Sequence, residues 1–127
     1  MDIAGKRFRK EEKLSSQKTI DSLFESGNIF YSGVLKVIWQ VGNDAAPAAK
    51  AAFGAPKKTF KLAVTRNLIK RRMREAYRNN KHRLYIHISE KNVSVSLFFI
   101  LTTKNTPDYK TIEKSMNEAL SKLIREL

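Results

Sequence analysis

Asn67, Lys70, Arg71, Arg74 and Arg78 recur at spacings of three and four, so at about 100° per residue they project from one side of a helix. Guanidinium groups in such a row take phosphate oxygens as planar forks, a lysine adds a point charge, and an asparagine amide can hydrogen-bond a base edge or a ribose. On a helix of mixed charge the same row would only keep a surface solvated. Here the acids are missing. Lys70/Arg74 and Arg74/Arg78 are like-charge pairs, and Glu75 alone is placed to relieve them, through Arg71, Arg72 and Arg78. The row therefore reads as a ridge that meets phosphates arriving from outside, with Glu75 orienting its neighbours.

Other chemistry is sparse. His82 and His87 are five apart and do not fit a His-Glu-x-x-His zinc arrangement, and there is no cysteine to act as a thiolate ligand or nucleophile. Carboxylates stand singly apart from Glu11-Glu12, and neither a glycine-rich phosphate loop nor a nucleophile elbow is present. No catalytic side chain, resident metal or protein-held cofactor is expected.

The whole chain of 127 residues carries 25 Lys plus Arg against 12 Asp plus Glu, a formal charge of +13. From Lys57 to Arg83 there are 11 basic residues and one acid, so that segment alone holds +10. Charge concentrated this way implies a polyanionic partner and a binding face. No run approaches the roughly 20 apolar residues that span a bilayer, and Met1-Asp2-Ile3-Ala4-Gly5 lacks the apolar core of a signal peptide. A soluble, cytoplasmic protein is expected. Length suits one domain over residues 1–127, with residues 1–14, including Lys6, Arg7, Arg9, Lys10, Glu11 and Glu12, as a mobile basic arm too polar to pack.

The elements that position the ridge follow from periodicity. Ser15 or Ser16 can cap a helix from Ser16 to Glu25 with Ile20, Leu23 and Phe24 on one face, and Gly27 stands where a left-handed terminator is favoured. Val34 to Val41 is a strand, with Leu35, Val37, Trp39 and Val41 on its inner side and Val34, Lys36, Ile38 and Gln40 on the other, a mixture of apolar and polar groups that suits a cleft as well as bulk water. Gly42 to Ala49 reads as loop, Lys50 to Pro56 is ambiguous, and Tyr85 to Asn92 has no clear pattern. Leu62 to Leu84 is helical, packing through Leu62, Ile69, Met73, Ala76 and Tyr77, and Ser94 to Leu101 is a buried strand. Thr106-Pro107-Asp108 opens a terminal amphipathic helix carrying Tyr109, Ile112, Met116, Ala119, Leu120, Leu123, Ile124 and Leu127. This order implies an α+β fold with helices on one face of a small sheet.

Arg66-Asn67-x-x-Lys70-Arg71-x-x-Arg74-Glu75-Ala76-Tyr77, preceded by Ala63-Val64 and Lys57-Lys58, resembles the signature of the bacterial ribonuclease P protein subunit. Lys13-Leu14, the Ile20/Phe24 helix, Gly27, the Phe-rich strand and the terminal helix extend the likeness over nearly the whole chain. Leu68 stands where the family commonly has a second arginine, and Lys61 where many members have glycine in a shorter linker.

The resemblance implies an α-β-β-β-α-β-α two-layer sandwich like the second domain of ribosomal protein S5, with a left-handed βαβ crossover carrying the basic helix. It further implies an accessory subunit of an endoribonuclease whose catalytic groups and Mg2+ belong to the partner RNA, and which removes the 5′ leader of precursor tRNA. Arg66, Asn67, Lys70, Arg71 and Arg74 would then contact the catalytic RNA or the adjoining leader. Lys57 and Lys58 would lie at the rim, with Lys61 and Arg78 extending the RNA-binding surface. Ile20, Phe24, Lys36 and Ile38 would line a cleft for the single-stranded leader, where apolar platforms beside cations suit unpaired nucleotides; Phe30 and Tyr31 are further candidates for it or for the sheet edge.

Two other readings share parts of this pattern. A structural RNA-binding protein of ribosomal type would have the same fold class, charge and lack of catalytic residues, and the Arg66 to Tyr77 pattern discriminates against it. A peripheral membrane protein could use the polybasic segment, but no lipid-insertable face or lipidation signal accompanies it.

Overall fold

The computed structural model describes residues 8–42 and 46–127. The positions expected to form the start of the arm, Lys6 and Arg7 among them, and residues 43–45 of the expected Gly42 to Ala49 loop lie outside these. A short 3-10 turn, Lys10–Glu12, is followed by α1 (Gln17–Ser26), β1 (Asn28–Ser32), β2 (Leu35–Gly42), β3 (Ala48–Gly54), α2 (Ala63–Asn80), α3 (His82–Lys91), β4 (Ser94–Leu101) and α4 (Tyr109–Glu126). The sheet order is β1-β2-β4-β3, antiparallel except for the parallel pair β3 and β4. Parallel neighbours need a crossover, and α2 with α3 supplies it. The architecture is α+β in the expected order, with α3 added.

Register sorts the side chains onto two faces, because residues directly opposite one another point the same way. Leu35, Val37, Ala49, Ala51, Val95, Leu97, Phe99 and Leu101 join Ile69, Met73, Ala76, Tyr77, Leu84, Tyr85, Ile88 and the apolar face of α4 in the main core. On the opposite face Ile38 packs with Leu14 and Leu23, flanked by Ile20, Ala52, Phe98 and Ile100. The expectation of helices on one face thus holds for α2, α3 and α4, while α1 covers part of the other. Trp39 is half-buried and Val41 exposed at the far end of β2, where the expected inner side runs out of cover.

Several local expectations are corrected. The segment 8–14, expected to be too polar to pack, does pack: Phe8 meets Phe53 and Tyr77 edge-on with ring centroids 5.7 and 5.8 Å apart, and the Leu14 amide donates to Ala51 O at 3.0 Å. Glu12, one of the polar residues that made this stretch look unpackable, is buried because Lys81 and Tyr85 satisfy it. Gly27 is extended (φ −69°, ψ 159°), not left-handed. Its glycine is required by crowding, since a Cβ there would lie 2.5 Å from Leu23 O and 2.9 Å from Ile38 Cγ2. Ser16 is the residue that caps α1, accepting from the Thr19 amide at 3.3 Å.

The ambiguous alanine-rich stretch is β3, held by pairing to β4 rather than by its own propensity. The basic helix stops at Asn80, and the segment without a clear pattern is α3, ended by Asn92 in the left-handed region (φ 55°). Leu62, expected to pack, precedes α2 in extended conformation and is exposed. Within Thr106-Pro107-Asp108, it is Asp108 that caps α4, its carboxylate accepting from the Thr111 amide at 2.9 Å.

Candidate nucleic-acid interface

α2 is anchored by Ile69, Met73, Ala76 and Tyr77, which are wholly buried, and that anchoring fixes which side of the helix faces out. Asn67, Arg71 and Arg74 are exposed along it, with Lys70 half-buried beside them. The other cations of α2, Arg66, Arg72 and Arg78, have duties within the chain. Arg78 Nη2 pairs with Glu75 Oε2 at 2.7 Å, and its Nε donates to the other carboxylate oxygen at 3.3 Å. That hydrogen bond foremost, with the charges of Arg78, Arg74 and Arg71 behind it, holds the Glu75 carboxyl below its ordinary range despite partial desolvation. Glu75 in turn raises the Arg78 guanidinium. Glu75 therefore orients Arg78 among the three arginines it could reach, and leaves Arg71 and Arg74 facing solvent.

Arg66 is placed differently from its neighbours on the ridge. Its Nη1 donates to Phe60 O at 2.7 Å and Lys61 O at 2.9 Å, so one edge of the guanidinium holds the linker that precedes α2. That linker is further fixed by Phe60, whose ring is buried, and by the Thr59 and Phe60 amides, which donate to Pro56 O at 3.2 and 2.9 Å. Lys57, Lys58 and Lys61 are exposed on it, next to the start of the basic helix. Arg72, which the periodicity leaves off the ridge, donates to Pro107 O at 2.7 Å and ties α2 to the entry of α4.

The residues expected to line a second cleft are brought to one face of the sheet, but not all to its surface. Ile38 is only 1% exposed, so it supports that face from beneath instead of lining it. The reason is that α1 lies directly on β2: Ser22 Oγ donates to Gln40 Oε1 at 3.3 Å, and Leu23 closes over Ile38. Ile20 is half-buried in the same cluster. Phe24 is 50% exposed, its ring set edge-on to Phe98 with centroids 5.0 Å apart. Lys36, half-buried, shares a row with Tyr31, Ile100 and Gly54, and Ile29 lies in the row of Ile38 and Phe98.

The open surface is thus a shelf beside α1, made of Phe24, Phe98, Ile100, Lys36, Ile29 and Tyr31. Phe98 and Ile100 were not singled out from the sequence; strict alternation in β4, opposite Leu97, Phe99 and Leu101, was the signal for them. Tyr31 joins this face on the edge strand β1, whereas Phe30 points to the other side, beneath Lys122 Nζ at 5.3 Å from its ring centroid.

Among the described residues no three His, Asp or Glu side chains gather as a metal-ligating group, and no helix is long and apolar enough to cross a membrane.

Residues 8–124 match the family model described as Ribonuclease P. A ribonuclease P protein component from Porphyromonas gingivalis is 32% identical over 115 residues, covering 90% of this chain and 84% of the relative. One from Chlorobium phaeobacteroides is 29% identical over 124 residues, covering 89% and 85%. Among solved structures, the RNase P protein of Staphylococcus aureus superposes with a TM-score of 0.65 at 19% identity, over 90% of this chain and 95% of that one. A mutant of the same protein, described as defective in mRNA degradation activity, superposes at 0.64 and 17% identity, over 90% and 88%.

Proposed function

The chain belongs to the ribonuclease P protein family, and on that footing we propose that its α2 ridge binds the catalytic RNA subunit while the shelf beside α1 receives the 5′ leader of precursor tRNA. Membership makes it the protein component of an endoribonuclease and an RNA-binding protein. Chemistry at the phosphodiester belongs, in this reading, to the RNA, which also holds the Mg2+.

One observation carries the reading: Asn67, Arg71 and Arg74 stand exposed on α2 while Glu75, the acid nearest them on the helix, is engaged by Arg78. Phosphates are the partners that such a face lacks among the described residues. The protein would screen repulsion between two RNAs and hold the leader in line, so that its effect is on substrate affinity and metal occupancy. The shelf supports the leader assignment because half-exposed Phe24 and exposed Tyr31 offer rings to unpaired bases, with Lys36 beside them for a phosphate.

Reconstitution tests this directly. Adding the protein to a bacterial ribonuclease P RNA should restore precursor-tRNA cleavage at Mg2+ concentrations where the RNA alone is inactive. No stimulation, or cleavage by the protein without RNA, would refute the division of labour.

A further inference from the structure

α2 carries an apolar rib along its cationic side. Val64 is 73% exposed and Leu68 half-buried, and with Thr65, Asn67, Arg71 and Arg74 they line a groove of about 450 Å³. Val64, Leu68 and Arg71 follow one another at spacings of four and three, so they rise from one stripe of the helix, with Asn67 and Arg74 alongside. The residues by which α2 packs, Ile69, Met73, Ala76 and Tyr77, lie on the other side, so this stripe is no part of the core.

A face that met only phosphates would gain nothing from exposing a valine and a leucine between its arginines. A nucleobase requires both kinds of surface: an apolar or planar platform for its face, a hydrogen-bonding side chain for its edge, and cations for the phosphates on either side. Val64 and Leu68 offer the first, Asn67 the second, Arg71 and Arg74 the third. The lining holds two guanidinium groups and no acid, which suits RNA and not an apolar peptide.

We propose that this groove seats one unpaired base of the ribonuclease P RNA subunit, with Leu68 serving as platform at a position where an arginine would otherwise add charge. The proposal rests on the RNA-binding role assigned to α2 above. It commits to the RNA subunit and not the leader, because α2 packs on the sheet face opposite the one that α1 covers.

The test compares the intact protein with Val64→Ser, Leu68→Ser and the double variant, each checked by circular dichroism and thermal melting. Affinity for the RNA subunit is measured across a salt series and paired with base-specific chemical footprinting of that RNA. The double variant should lose roughly tenfold in affinity with an unchanged salt slope, because no cation is removed. One unpaired nucleotide shielded by the original protein should become reactive again. Val64→Ser, at a largely exposed position, should show a smaller loss of the same kind even if Leu68→Ser disturbs folding. Unaltered affinity and footprint would overturn the base seat, as would protection that appears in a precursor leader instead. Failure of the original protein to bind the RNA subunit at all would overturn the underlying role of α2, and is distinguishable from both.

Discussion

The Glu12 carboxylate and the Lys81 ammonium, 69 positions apart in the chain, form an ion pair beneath the surface, and the Tyr85 hydroxyl donates to the same carboxylate oxygen at 2.5 Å. Tyr77 extends the group, its hydroxyl donating to that of Tyr85 at 3.2 Å. Burial pushes both tyrosines well above their ordinary range, so they remain protonated donors. The segment before α1 is thereby fastened to the junction of α2 and α3.

Glu12→Gln would take from the buried Lys81 ammonium the carboxylate charge that it faces. Glu12→Gln should destabilise the fold by about 3 kcal/mol, since breaking a buried pair costs more than the pair contributes. Urea denaturation measures this; a change below about 1 kcal/mol would show that the Glu12 charge is not what stabilises the buried ammonium.

The same pair sets an acid dependence. Burial works to raise the Glu12 carboxyl, but hydrogen bonds from Lys81, Tyr85 and the Arg9 amide, together with the Lys81 charge, hold it below its ordinary value of 4.5. Its folded-state value is therefore below its unfolded one, so its contribution is full above pH 4.5 and is lost as pH falls through the depressed value. Stability of the original protein should drop more steeply than that of Glu12→Gln in that acid window, and parallel curves would show that the carboxyl is not the titrating group.

On the ridge, neutralising Arg71 or Arg74 should flatten the salt dependence of RNA binding by about one unit of slope each. Arg78→Ala should change it less, because that guanidinium already serves Glu75. Equal slopes for all three variants would show that the Glu75 pairing does not distinguish them.

For the shelf, Phe24→Ala should weaken precursor tRNA about fivefold or more relative to mature tRNA, the two differing in the leader. The ring is half-exposed, so thermal melting should report only a modest loss of stability. Equal weakening of both RNAs would return Phe24 to a packing role against Phe98.

Gly33 has φ +54°, and a Cβ there would lie 2.2 Å from Ser115 Oγ, which itself accepts from the Val34 amide at 3.1 Å. Gly33→Ala combines left-handed strain with that collision and should cost roughly 2 kcal/mol or more. A melting temperature within a degree of the original would show that the β1–β2 turn rearranges freely.

What the sequence discloses depends on how local the cause is. The α2 ridge is legible because 3.6-residue periodicity and the lack of acids both reside in one short segment. β4 is legible from its continuous apolar run. β3 is not, because Ala48–Gly54 has little strand propensity and becomes a strand only where β4 offers it hydrogen bonds. Glu12 reads as solvated until Lys81 is known to lie against it. Ile38 sits on the outer side by alternation, as expected, yet is covered by a helix whose docking no strand pattern encodes. The division of the cations is equally hidden: composition treats Arg66, Arg72 and Arg74 alike, while geometry sends the first two to backbone carbonyls and leaves the third in solvent.

β4 lies between β2 and β3 in the sheet although it is the last strand in the chain. During synthesis, therefore, the basic helix leaves the ribosome before the strand that will close the sheet beside it. β2 and β3 do not pair with each other, so each gains its neighbour in the middle of the sheet only once β4, ending at Leu101, has emerged. A nascent chain halted short of that residue would present its cations to cellular RNA without a finished sheet behind them.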